Sequence, residues 1–238
     1  MNTVLFDLDG TLLPMDQDHY IEAYLNMLGE HFAADYDPEA LREAILRGTG
    51  AMIQNDGSRT NETCFWQVLS AALGAGVSGR KADFDAFYRE RYNDLRSAAG
   101  FTPLAAETVK ALKEKGYSLI LASNPLYPEI ATRARMRWAG LREEDFLLVT
   151  AYEKFSYCKP NILYYREILA ICGREPRDCL MVGNDVDEDL CAAEIGLETW
   201  LLTDWLINRQ NRDISSHRRS TMAEFRTQVN SWKKVTDS

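Results

Sequence analysis

The chain has 238 residues, 46% of them apolar, and a formal net charge of −9. That is ample apolar material for one large α/β domain, or one domain with a sizeable insertion, and it excludes a chain disordered throughout. The acidic balance argues against a nucleic-acid-binding surface, whose affinity comes from clustered Lys and Arg, and points to a small-molecule partner.

The first predicted element is a strand, the apolar run Thr3–Phe6, which runs into the stretch FDLDGTLLP at residues 6 to 14. The start MNTVLFDLDG lacks the basic region and cleavage site of a signal peptide, and no apolar run approaches the roughly 18 residues of a membrane span. A cytoplasmic protein with no membrane partner is the expectation. Residues 16–98 hold no good strand. Apolar side chains recur there at helical spacing (Tyr20, Tyr24, Leu28, Phe32; Phe65, Val68, Leu69, Ala72; Phe84, Phe87, Tyr88, Leu95), which predicts a helical insertion. Within it the polar, glycine-bearing stretch GTGAMIQNDGSRTNET, residues 48–63, reads as a loop.

Beyond the insertion, strands are predicted at Tyr117–Ala122, Phe146–Val149, Cys179–Val182 and Thr199–Leu202. Helices are predicted between them at Leu104–Lys115, Pro128–Trp138, Pro160–Cys172 and Asp187–Ile195. Alternation of this kind is the pattern of parallel strands joined by helical crossovers. After Thr203 comes a polar segment with His217, Arg218 and Arg219, read as solvated surface, and then a terminal helix over Thr221–Lys233. The five cysteines, Cys64, Cys158, Cys172, Cys179 and Cys191, form no CxxC pair and have no His at metal-ligand spacing. They read as reduced packing thiols, not a zinc site.

Ligands of open parallel sheets bind beyond the carboxyl ends of the strands, so strand-end residues carry the functional argument. Asp7 and Asp9 follow the first strand, Ser123 and Asn124 the second, and Asn184, Asp185, Asp187, Glu188 and Asp189 the fourth. Alternation along a strand points Asp7 and Asp9 to one side, where two carboxylates repel unless a cation lies between them. Mg²⁺ suits that need, since it takes one or two carboxylates, several waters and a substrate phosphate, and Asp7 with Asp185 would serve. Lys159, just before Pro160, could balance these carboxylates and a phosphate dianion. Ser123 and Asn124 offer a hydroxyl and backbone N–H groups of the kind that hold phosphate oxygens.

The ordered set DLDGT, LASNP, CKP and VGNDVDED resembles the haloacid dehalogenase-like (HAD) hydrolase superfamily, in particular its phosphatase branch with a helical cap inserted after the first motif. The match spans residues 3 to about 203. The resemblance implies an α/β fold: a Rossmann-like parallel sheet flanked by helices, its core formed by residues 1–15 and 99–238, with a helical cap over 16–98. It implies Mg²⁺-dependent hydrolysis of a small-molecule phosphate monoester through an aspartyl-phosphate. Asp7 would be the nucleophile, and Asp9 would protonate the leaving oxygen and then activate water. Ser123, Asn124, Gly10, Thr11 and Lys159 would bind the phosphoryl group, and Asp7, the Asp9 carbonyl and Asp185 the metal. Chemically, a buried Asp9 beside the negative charge of Asp7 gains the raised pKa that an acid catalyst needs.

One position departs from the family pattern. The aspartate that commonly follows the glycine of the last motif is here Asn184, with Asp185 next, so either could face the metal; Asp185 is favoured because a charged oxygen binds Mg²⁺ more strongly. Asp189 would orient Lys159 or a metal-bound water, and Asp187 and Glu188 read as first-turn acids of a helix. A phosphotransferase or sugar-phosphate mutase would share every motif. A 2-haloacid dehalogenase would need neither Asp9 nor Asp185, and a non-enzymatic receiver or binding module would leave the acid, nucleophile and lysine without a use. The insertion should supply substrate choice, with His19, Thr49, Gln54, Asn55, Arg59 and Trp66 as its unranked polar or aromatic residues.

Overall fold

A computed structural model describes residues 1–235. Its centre is β1 (Thr3–Phe6), with Val4, Leu5 and Phe6 wholly buried. The remaining strands are β2 (Ser118–Leu121), β3 (Leu148–Val149), β4 (Cys179–Gly183), β5 (Glu198–Leu202) and β6 (Arg219–Ser220), joined in the order β3-β2-β1-β4-β5-β6. Every pair is parallel, and β1 lies in register between β2 and β4, with Val4 opposite both Leu119 and Leu180. This is the doubly wound order, and its switch point falls between β1 and β4.

Both faces of the sheet are covered, which is why its strands read as continuous apolar runs. Val4 and Phe6 look into one core, with Leu119, Leu121, Leu180 and Val182; α5 (Pro103–Glu114), α6 (Glu129–Trp138) and α8 (Met222–Ser231) contribute to it. Leu5, Ile120 and Met181 look the other way, onto Tyr164, Tyr165 and Ile168 of α7 (Ile162–Cys172).

Between β1 and α5 the chain forms α1 (Gln17–His31), α2 (Pro38–Ile53), α3 (Asn61–Leu73) and α4 (Lys81–Glu90), with short 3₁₀ turns at Ala75–Arg80 and Tyr92–Ala98. Side chains of Asp16, Asp37 and Thr60 cap the first three. The insertion leaves and rejoins the core at neighbouring points, where the Gly100 N–H donates to the Pro14 carbonyl at 2.7 Å. Its aromatic residues merge with the main core: Tyr92 stacks on Trp138 of α6 at 5.4 Å, and Tyr24 meets Tyr127 edge-on at 5.5 Å.

Three sequence expectations need correction. The predicted loop over 48–63 is helical as far as Ile53 and again from Asn61. Gly48 does not break α2; it lets α3 approach, since a Cβ there would fall 2.6 Å from Phe65 Cδ2. The helix expected from Pro160 begins at Ile162, because the Asn161 side chain accepts from the Leu163 N–H as its cap, leaving Lys159 in the preceding loop. The helix expected over Asp187–Ile195 is a 3₁₀ turn at Leu190–Ile195, with Asp187 and Glu188 ahead of it. The basic segment at 217–219 is surface as expected, with Arg218 and Arg219 exposed; Arg219 and Ser220 also form β6, and the Arg218 guanidinium lies 3.7 Å from the centre of the Trp200 ring. All five cysteines are free, and among the described residues no helix is long and apolar enough to cross a membrane.

Candidate active site

At the switch point the Asp7 N–H still pairs with the Val182 carbonyl, and the chain then turns sharply. Gly10 adopts φ +86°, and a Cβ on it would come within 2.3 Å of the Asn184 amide. The turn closes on itself: Gly10 N–H donates to the Leu13 carbonyl, and Thr11 N–H and Leu13 N–H both donate to that of Leu8. Thr11 Oγ1 donates to Asn184 Oδ1 at 3.0 Å, and Asn184 Nδ2 donates to the Trp205 carbonyl at 2.7 Å. Asn184 thus spends both ends of its amide bracing the first loop against β4 and the Trp205 segment. Asp185 lies beyond it, one oxygen accepting from the Asp187 and Glu188 N–H groups.

Lys159 arrives from the loop before α7 with its side chain fully buried. Its Nζ donates to Asp7 Oδ1 at 2.8 Å and to Asp189 Oδ1 at 2.7 Å, so the nucleophile candidate, the lysine and Asp189 form one chain. Burial pulls the ammonium's pKa down; the carboxylates of Asp189 and Asp7 outweigh it and hold the pKa well above that of an ordinary lysine. Asp189 is itself fixed, because its other oxygen accepts from the Asp185 N–H at 2.9 Å and lies where a Cβ on Gly183 would sit. Asn124 ties the end of β2 to this loop, accepting from the Lys159 N–H and donating to the Lys159 carbonyl. The Ser123 carbonyl accepts from Thr150 and Tyr164, which anchors that residue at the cavity wall.

Two residues of the cavity escaped the sequence reading. Arg135 on α6 is completely buried, its Nη1 3.0 Å from Asp9 Oδ2 and its guanidinium 4.2 Å from the Tyr127 ring centre. Glu188, read as a first-turn acid, instead accepts from Asn124 Nδ2 at 3.1 Å and lines the same cavity as Asp7 and Asp9. Burial pushes Glu188 up to about 8, against the pull of Lys159. Asp9 is pushed up to about 6, first by burial; Arg135 opposes that rise and Asp7 adds to it.

A family model for haloacid dehalogenase-like hydrolases matches residues 1–195. The chain belongs to this family. Over 204 residues the hydrolase is 24% identical to the pyrophosphatase PpaX of Bacillus cereus (strain AH820), covering 84% of this chain and 82% of that protein. In fold it is similar to a HAD phosphatase from Thermococcus onnurineus, with TM-score 0.60, 19% identity and coverage of 99% and 100%. It is also similar to the L-2-haloacid dehalogenase PA0810, with TM-score 0.58, 18% identity and coverage of 96% and 99%. At such identities the structural likeness speaks for the fold alone, and a phosphatase and a dehalogenase share it.

The donor set of this HAD-like hydrolase fits a hard divalent cation. Asp7 Oδ2 is buried and accepts no hydrogen bond, and Asp9 Oδ1 is in the same condition. Asp7 and Asp189 pair with Lys159 and Asp9 with Arg135, three carboxylates on two cations, which leaves negative charge in excess. Among the described residues no three His, Cys, Asp or Glu side chains gather as a closed metal cage. Of the insertion residues singled out in the sequence, Thr49 and Trp66 line the cavity. Asn55 is buried in a structural bond to Asn61 and the Arg59 carbonyl, and His19, Gln54 and Arg59 are exposed elsewhere.

Proposed function

We propose that this hydrolase is a Mg²⁺-dependent phosphatase that cleaves a small-molecule phosphate monoester through an aspartyl-phosphate on Asp7. The observation that carries the reading is the fully buried Lys159, held between Asp7 and Asp189, beside an Asp9 whose pKa is raised toward neutrality. A halide leaves without a proton, so a dehalogenase has no use for that second acid.

A carboxylate oxygen of Asp7 attacks phosphorus while the bond from phosphorus to the ester oxygen breaks, and Asp9 gives its proton to the departing oxygen. Lys159 holds Asp7 in place and faces the charge that develops on the phosphoryl oxygens. Water then attacks phosphorus, Asp9 takes the proton from that water, and the bond to Asp7 breaks to release phosphate. Ser123 and Asn124 hold phosphoryl oxygens, while Gly10 and Thr11 contribute the shape of the turn that brings backbone close to them. Asp7, the Asp9 carbonyl and Asp185 would hold Mg²⁺, which supplies charge neutralisation for the incoming dianion. Asn184 has both amide ends engaged, which supports Asp185 in that role. Residues 16–98 act as a cap over the strand ends, where they exclude bulk water.

The test is hydrolysis of p-nitrophenyl phosphate with and without Mg²⁺, beside 2-chloropropionate. Phosphate release that stops with EDTA, and no chloride release, is expected. Full turnover in EDTA, or dehalogenation, would overturn the reading.

A further inference from the structure

The cavity above Asp7 and Asp9 is about 180 Å³. A dry apolar cavity of about 150 Å³ admits benzene, so this space, which includes the phosphate end lined by Asp7, Asp9, Ser123 and Asn124, leaves room for one small ring at most. Beyond its catalytic end it is walled by the inserted helices, with Leu25 from α1, Ile45 from α2, Phe65 from α3 and Phe84 from α4. Its mouth is apolar too: Ile21 and Leu46 line it and are 39% and 47% exposed.

Several polar side chains in this wall are paired with one another or with their own backbone, while Trp66 Nε1 is buried there without a partner. Tyr24 and Tyr88 hydroxyls bond to each other at 2.7 Å, and Tyr20 bonds to Tyr92. Thr49 donates to the Ile45 carbonyl of its own helix, and Gln17 donates to the Asp9 carbonyl. Among the described residues lining the cavity the sole Lys or Arg is Arg135, which faces Asp9. A polyol buried here would lose water for several hydroxyls and meet few donors beyond the Trp66 indole, and a second phosphate would meet no free cation.

From this chamber we infer that the substrate's alcohol half is a single apolar group of about one ring, so that the enzyme prefers aryl-alkyl or short alkyl phosphates over sugar phosphates and pyrophosphate. The inference rests on the phosphatase reading and adds the substrate class to it. Apolar selectivity comes from area withdrawn from water and from the polar competitor's unpaired hydroxyls, and each methylene-sized difference in such a pocket is worth about ten- to two-hundred-fold.

The experiment compares kcat/KM of the full chain with Mg²⁺ on benzyl phosphate and on glycerol 3-phosphate, whose alkoxide leaving groups are similar. Ribose 5-phosphate and pyrophosphate extend the series, and p-nitrophenyl phosphate reports phosphatase activity as such. Benzyl phosphate should lead glycerol 3-phosphate by at least about tenfold. The rim variant Leu46→Gln, at an exposed position, should narrow that ratio. Equal or better turnover of glycerol 3-phosphate, ribose 5-phosphate or pyrophosphate would overturn the inference and leave the phosphatase reading standing. If no phosphate compound is hydrolysed, the phosphatase reading fails. The chamber is then judged by calorimetry, where binding of benzyl alcohol over glycerol upholds its apolar character and no preference refutes it.

Discussion

The two halves of the cavity are built on opposite principles. The half on the sheet is ionic: Asp7, Lys159 and Asp189 share short hydrogen bonds, and Asn124, Asn184 and Asp185 fix the loops that carry them. The half on the inserted helices is apolar, its hydroxyls turned toward one another in tyrosine pairs. The first half is suited to a charge that appears in every phosphate ester, the second to whatever distinguishes one ester from another. Substitutions should therefore divide cleanly, with catalysis lost on the sheet side and packing or selectivity changed on the helix side.

The largest expected effect is at the nucleophile. Asp7→Asn should lower kcat on p-nitrophenyl phosphate by at least about ten-thousand-fold, the scale seen when a covalent catalyst is removed. Steady-state assay at saturating Mg²⁺ checks this, and a loss below tenfold would break the ionic side of the comparison. Asp9→Asn should cost about a hundred- to ten-thousand-fold on an alkyl phosphate, the worth of general acid–base help. The loss should be smaller on p-nitrophenyl phosphate, whose leaving group needs little protonation, and equal losses on both would remove Asp9 from the acid role.

On the helix side the effect should fall on stability. Tyr92→Phe leaves the buried Tyr20 hydroxyl without its partner and should cost about 1–3 kcal/mol in urea unfolding. Adding Tyr20→Phe should recover much of that, because two apolar rings leave nothing unpaired. A double variant as unstable as the sum of the singles would show that the pair is not a closed unit.

The smallest effect is a titration. In metal-free protein the Asp9 carboxyl should titrate near pH 6, displaced from its ordinary 3.8, in carbon NMR of labelled aspartate. The folded chain then keeps a proton that the unfolded chain has lost between those two values, so this group favours folding below about pH 4 and loses that contribution as pH rises through 6. Arg135 pulls the value down, so Arg135→Met should move it upward while Arg135→Lys changes it less. A downward move in Arg135→Met would contradict the pairing.

How much of this was legible in the sequence follows the same division. The strands appear as apolar runs because both faces of the sheet are buried, and Asp7, Ser123, Lys159 and Asp185 stand where strands or their following loops end. The ionic half is thus written in short, contiguous motifs. Arg135 was hidden in EIATRARMRW, where Arg133 and Arg137 are exposed and the segment reads as a basic surface. Its signal was spacing: Arg135 stands between Ala131 and Trp138 at i+4 and i+7, on the face that packs inward. Glu188 had no such signal, since the acids of NDVDED look alike until the Asp185 carboxylate folds the chain into its turn. The loop reading of residues 48–63 holds only for 54–60 and was too wide for a related reason, because Gly48 serves contact between two helices and its local preference gives way to that packing. The apolar chamber is assembled from four helices distant in sequence, so no single stretch announces it.

The most direct test of the central claim, that Asp7 carries the phosphoryl group, is to trap it. Asp9→Asn protein is mixed with Mg²⁺ and p-nitrophenyl phosphate, quenched in acid within the first turnover, digested and analysed by mass spectrometry. The account predicts a burst of nitrophenolate matched by a phosphoryl adduct on the peptide bearing Asp7, abolished in the Asp7→Asn/Asp9→Asn double variant. Nitrophenolate released with no adduct, or an adduct on any other residue, would contradict it.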